Sequence, residues 1–152
     1  DSLPSRGLGD VYKRQDMSHP ASLDDKPVTE LHLPKGKKVL FKFRSQDVLH
    51  SAYMPHFRAQ MNCVPGMVTQ FAFTPKYTTE EMREQSEVMD KVRGINKIRS
   101  EKGEDLYEFD YVLLCNKICG ASHYSMQMKI VVEEEEDYKQ WLAEQPTFAE
   151  KL

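Results

Sequence analysis

The sequence predicts a mainly β domain: short strands folded into a sandwich or barrel, with one helix inserted among them and a shorter helix near the end. Three observations lead there. Apolar residues alternate with polar ones in several short segments, Pro and Gly mark turns between them, and helical spacing is confined to two stretches.

Taken in order, Val28, Glu30 and His32 alternate with Thr29, Leu31 and Leu33 and stop at Pro34, before the turn-like Lys35-Gly36-Lys37. Val39, Phe41 and Phe43 then alternate with Leu40, Lys42 and Arg44, a period-2 strand. Pro65-Gly66 marks a turn, and residues 67–73 read as the next strand. Tyr107, Phe109, Tyr111 and Leu113 share one face, with Glu108 and Asp110 on the other. Met126, Met128, Ile130 and Val132 repeat the alternation opposite Gln127 and Lys129.

Helical spacing appears first from 79 to about 99, where Met82, Val88, Met89, Val92, Ile95 and Ile98 recur. Thr78 or Thr79 supplies the cap, Glu80, Glu81 and Glu84 sit in or near the first turns, and Lys97 and Arg99 lie at the end, an order that suits the helix dipole. Gly94 weakens this helix by up to ~1 kcal/mol relative to Ala. The second stretch, 134–145, begins acidic, carries Tyr138, Trp141 and Leu142 on one face and stops at Pro146. The acidic run at 133–137 reads as a solvated face.

At 152 residues the chain suits one domain with a real core. Residues 1–15, ending Asp10-Val11-Tyr12-Lys13-Arg14-Gln15, resemble the in-frame translation of a transposon end used as a sequencing adapter, and are expected to be a non-native tail. A linker at 16–27, a domain at 28–145 with a helical insertion at 79–102, and a tail at 146–152 complete the expected organisation. A net charge of −3 leaves no footprint for nucleic acid, although an acidic surface suits a basic protein partner. No apolar run approaches the ~20 residues that cross a bilayer. Three cysteines are too few for a disulfide framework, and their number is odd.

The chemistry concentrates in Cys115-Asn116-Lys117-Ile118-Cys119-Gly120-Ala121-Ser122-His123-Tyr124-Ser125-Met126, a loop between two predicted strands. Thiolate and thioether ligands favour copper, whereas zinc rarely takes a thioether and structural zinc sites need four Cys or His. Iron–sulfur clusters need four Cys, or two Cys with two His, and neither set is present. A blue-copper site uses one Cys; two allow a pair of copper ions to be bridged.

The spacing C-x3-C-x3-H-x2-M resembles the CuA loop of cytochrome c oxidase subunit II. Asp47-Val48-Leu49-His50-Ser51 is similar to the family segment carrying the first His ligand, and Val64-Pro65-Gly66 with Gln70 and the segment from Tyr138 to Trp141 have family counterparts. The resemblance runs from about Leu31 to Leu142, interrupted by the inserted helix. It implies a cupredoxin, a Greek-key β-sandwich, holding two copper ions. Cys115 and Cys119 would bridge them, His50 and Met126 would complete one copper, and His123 with the backbone carbonyl of Lys117 the other. The implied function is to take electrons from a c-type cytochrome and pass them to haem in subunit I, where oxygen is reduced to water and protons are pumped. It also implies a bacterial inner membrane rather than a mitochondrial one, with the domain on the periplasmic side and an anchor of N-terminal helices that this sequence lacks.

Departures from the family carry expectations too. Many relatives have Glu at the place of Lys117, where it helps hold magnesium; an ammonium cannot, so magnesium is not expected. Met67 and Asn62 replace a frequent Arg and Asp, which bears on contacts with subunit I. The alternative is the CuA domain of nitrous oxide reductase, which usually has an aromatic residue at the place of Lys117 and a large propeller upstream; a non-enzymatic copper carrier would not need bridging thiolates. Cys63 is expected to be a small buried hydrophobe, Met128 a core residue, and His19, His32 and His56 surface or structural residues. Asp47 is expected to be a solvated or steering charge.

Overall fold

The computed structural model describes residues 26, 28–117 and 127–147. Seven strands, β1 (Glu30–Pro34), β2 (Val39–Phe43), β3 (His50–Met54), β4 (Ala59–Cys63), β5 (Thr69–Phe73), β6 (Tyr111–Cys115) and β7 (Gln127–Glu133), form two sheets. The larger has the order β1-β7-β6-β3-β4, and β2 pairs with β5 in the smaller. Only β1 and β7 run parallel, with Glu30 opposite Lys129 and Pro34 opposite Glu133; the other pairs are antiparallel.

Period-2 alternation puts the apolar face of each sheet into one core. Val39, Phe41 and Phe43 of β2 are buried while Leu40 and Lys42 are exposed. Facing them, Leu33 of β1 and Ile130 of β7 are fully buried. Stacked rings join the two sheets: Phe41 lies 5.4 Å from Phe73, Phe73 lies 4.5 Å from Phe57, and Phe57 lies 4.5 Å from Tyr111. Each such pair contributes ~0.5–1.5 kcal/mol beyond its buried area.

The predicted strands at β1, β2 and β7 are present; the strand expected from Tyr107 begins only at Tyr111, as β6, and β5 starts at Thr69, two residues into the expected segment. The hairpin of β3 and β4 was not legible. In β3 every residue except Tyr53 is buried, so the alternation that betrays a half-exposed strand is missing. A 3-10 turn, Pro55–Phe57, joins the two strands, and Arg58 closes it in the left-handed region at φ 51°.

The single inserted helix expected from the sequence is two: α1 (Thr79–Arg83) and α2 (Ser86–Lys102). Thr78 caps α1 in a reciprocal box with Glu81, each side chain receiving the other's backbone N–H. Gln85 then takes an extended conformation and restarts the helix. The apolar residues explain the break: Met82 and Val88 are six apart, off the helical repeat of three, four or seven, and the kink lets both pack on the core together with Val92. Gly94 stays within α2. Gly103, at φ 69°, ends it in a Schellman motif, donating to the Ser100 carbonyl while Glu104 donates to Arg99.

α3 (Glu135–Glu144) matches the expected C-terminal helix, with Glu134 as its N-cap. It packs on β1 by stacking Trp141 over His32 at 4.3 Å. His32 is pinned between carboxylates, Nδ1 2.7 Å from Glu133 Oε1 and Nε2 2.9 Å from Glu30 Oε1, a structural role as expected. No helix among the described residues is long and apolar enough to cross a membrane.

Candidate metal centre

The site lies at one end of the larger sheet, where β3 begins and β6 ends. Ala52 is opposite Cys115 in the ladder, and the Asn116 N–H donates to the Ser51 carbonyl at 3.0 Å. Continuing that register sets Lys117 opposite His50, while on the other flank of β3 the partner of His50 is Cys63. His50, Ala52, Cys63 and Cys115 therefore share the core-facing side. Backbone pairing, which needs no metal, brings the first His and the first Cys of the predicted ligand set together.

Their side chains meet. His50 Nδ1 is 3.7 Å from Cys115 Sγ, and the Cys115 sulfur is 3.5 Å from the Lys117 carbonyl oxygen. His50 is 3% exposed and Cys115 7%, so both donors are withdrawn from water. The other ring nitrogen, His50 Nε2, is 2.8 Å from Asp47 Oδ1. Ser45 Oγ donates to the Val48 carbonyl and lies 3.2 Å from Asp47 Oδ1, fixing the turn that presents the carboxylate. Burial opposes charge on the His50 imidazole, but hydrogen bonding to Asp47 and Cys115 outweighs it and the pKa is raised. The same bond to His50 holds the Asp47 carboxyl below its ordinary value.

Of the six residues expected to hold metal, His50, Cys115 and Lys117 are thus brought together. Cys119, His123 and Met126 lie outside the described residues. Among the described residues no three His, Cys, Asp or Glu side chains gather as a metal site. An imidazole nitrogen, a thiol sulfur and a carbonyl oxygen on a rigid sheet end nevertheless form a donor set that fits copper.

Cys63 is 1% exposed within the core, where burial pushes its thiol pKa up, and Met128 packs partly buried against the same core. His56 sits edge-on to Phe109 at 4.7 Å. Asp47 is the residue whose part was missed: it partners His50 rather than merely facing solvent. Its signal was the spacing i, i+3 to a candidate ligand within a turn, which brings a carboxylate within reach of an imidazole.

Residues 15–97, just over half of the chain, match the family model described as cytochrome c oxidase subunit II, periplasmic domain. That stretch includes His50 and ends before Cys115. The alternative cytochrome c oxidase subunit 2 of Bradyrhizobium diazoefficiens is 42% identical over 120 residues, which is 79% of this chain and 32% of that protein. Cytochrome c oxidase subunit 2 of Thermostichus vulcanus is 26% identical over 112 residues, 74% of this chain and 25% of its own length. The chain therefore spans a third or less of these two relatives. In the crystal structure of the periplasmic domain of subunit II of cytochrome oxidase from Bradyrhizobium japonicum the same fold recurs, with a TM-score of 0.53 at 17% identity, covering 83% of this chain and 69% of that one. The architecture is a cupredoxin-like β-sandwich. The chain belongs to the cytochrome c oxidase subunit II family, to its periplasmic domain.

Proposed function

We propose that this domain is the electron inlet of a haem–copper cytochrome c oxidase, holding a binuclear CuA centre that takes electrons from a c-type cytochrome and delivers them to haem in subunit I. The observation that carries the reading is the convergence of His50 Nδ1, Cys115 Sγ and the Lys117 carbonyl at one sheet end, in a member of the subunit II family. Cys115 and Cys119 would bridge the pair, with His50 and Met126 on one ion and His123 and the Lys117 carbonyl on the other. When bound, the copper pair would supply a one-electron store whose charge is spread over both metals.

The chain's own contribution is rigidity. His50 and Cys115 are fixed by adjacent strands, so their positions hardly depend on oxidation state, which favours fast electron transfer. Burial keeps water from competing for the donors. Exposed apolar residues ring the same end: Val48, Leu49, Met67 and Val68 sit on two loops joined by the Ser45–Pro65 bridge. Such a patch supports docking against subunit I there. The reading carries a place at the periplasmic face of a bacterial inner membrane, oxygen reduction and proton pumping in the partner subunit, and no magnesium at Lys117.

The test is reconstitution of the chain with copper. Two ions per chain and a paramagnetic resonance spectrum with one electron shared by two copper nuclei are expected. Cys115→Ser should abolish that spectrum, since a hydroxyl bridges soft copper poorly. A spectrum from a single copper in the unaltered chain would refute the assignment.

A further inference from the structure

The two nitrogens of His50 have different neighbours. Nδ1 looks inward at Cys115 Sγ, 3.7 Å away, and Nε2 meets Asp47 Oδ1 at 2.8 Å. A carboxylate only accepts hydrogen bonds, so this contact places a hydrogen on Nε2 and, in the neutral ring, leaves the Nδ1 lone pair directed at the sulfur. Asp47 is itself held: Ser45 Oγ lies 3.2 Å from the same oxygen and donates to the Val48 carbonyl, and Ser45 is bridged to Pro65 of the neighbouring loop. The Asp47 side chain is half-exposed, at 53%, yet one oxygen is committed inward.

Resting on the copper reading, we propose that Asp47 is a positioning residue: it sets the tautomer and ring orientation of His50 before metal arrives, and its negative charge tunes the potential of the centre once loaded. Partners of this kind commonly change metal affinity by ~10–100-fold when removed. The Asp47 charge also favours the more positive, oxidised state, so removing it raises the reduction potential.

Three variants of the chain test this. Asp47→Asn keeps an oxygen that accepts from Nε2 but loses the charge, Asp47→Ala loses both, and Asp90→Asn removes an exposed carboxylate on α2 as control. In the metal-free chain at mildly alkaline pH, nitrogen-15 NMR should find the His50 hydrogen on Nε2 in the unaltered protein and in Asp47→Asn, and a mixture in Asp47→Ala. After copper loading, Asp47→Ala should release copper to a chelator at least ~10-fold faster, within the range for such partners. Asp47→Asn should release it as the unaltered chain does, and both variants should show a raised potential. A hydrogen on Nδ1 in the metal-free chain, or release and potential in Asp47→Ala equal to those of Asp90→Asn, would overturn the positioning role and leave the copper reading standing. If the unaltered chain forms no electron-sharing copper pair, the copper reading fails, and this inference with it.

Discussion

Ala52→Val tests whether the candidate metal centre is mechanically part of the core. Ala52 is fully buried at the middle of β3, between His50 and Met54 along the strand, and opposite Met61 on β4 and Cys115 on β6. Valine adds two carbons on the face that the candidate ligands share. With space available, their burial would contribute ~0.8 kcal/mol each. With Met61 on one flank and Cys115 on the other, the added methyls must push a neighbour instead, and insertions into a packed core cost a net ~1–3 kcal/mol. The strand preference of valine places the expected loss toward the low end, ~1–2 kcal/mol. Urea unfolding of the metal-free chain, with a mid-range slope of ~2 kcal/mol per molar, should register a midpoint lower by about 0.5–1 M. Because Cys115 is one of the two neighbours that must yield, copper loading should also fall and the shared-electron spectrum broaden. An unchanged midpoint would refute the packing argument. A lower midpoint with an unaltered copper spectrum would refute the coupling between ladder and site.

Two further perturbations probe the scaffold away from the metal. Asn96 receives the Tyr107 N–H at 2.6 Å and donates to the Tyr107 carbonyl at 3.0 Å, closing the loop after α2; Asn96→Ala should cost ~1–3 kcal/mol and speed hydrogen exchange at Tyr107 while leaving copper binding intact, and unchanged exchange would refute the clamp. Tyr111 is buried, and desolvation pushes its pKa from 10.0 up to about 12. Its folded value lies above the unfolded one, so its contribution to stability is whole below pH 10.0 and is lost as pH rises toward about 12. Burial raises Tyr138 as well, so absorbance titration should show late tyrosine ionisation from more than one residue, and Tyr111→Phe should remove the part of it near pH 12.

What the sequence disclosed depended on whether an element has a wet side. β2 was legible because Leu40 and Lys42 face water between buried Val39, Phe41 and Phe43. β3 was not, because Ser51 on the outward side is as buried as Ala52 on the inward side. Its first residue, His50, was found through its resemblance to a ligand segment and not through periodicity. Similarly, apolar spacing revealed helix from 79 onward but not its break, since Glu84 and Gln85 are both ordinary helix formers; the interruption follows from the need of Met82 and Val88 to reach one core. The candidate ligands were proposed from order and spacing. The carboxylate behind His50 could not, because its effect depends on how the turn from Ser45 to Val48 folds.

The parallel pairing of β1 with β7 has a consequence for how the domain hangs from whatever precedes it. Glu30 enters the sheet opposite Lys129, near the start of β7, at the same pole where β6 delivers Cys115. Two strand spacings of ~4.8 Å and three residues of rise at ~3.3 Å put the two Cα atoms about 14 Å apart. Lys26 Nζ reaches the Leu142 carbonyl at 2.6 Å, securing the incoming chain to α3 just before that point. A tether attached there would act as a pivot about 14 Å from Cys115 in the candidate metal centre. Rotation about a pivot displaces each atom in proportion to its lever arm, so rocking about Glu30 would move Cys115 less than His50, which lies one strand further across the sheet and further along it, about 22 Å from Glu30. Of the two side chains, Cys115 is the one that such motion would disturb less.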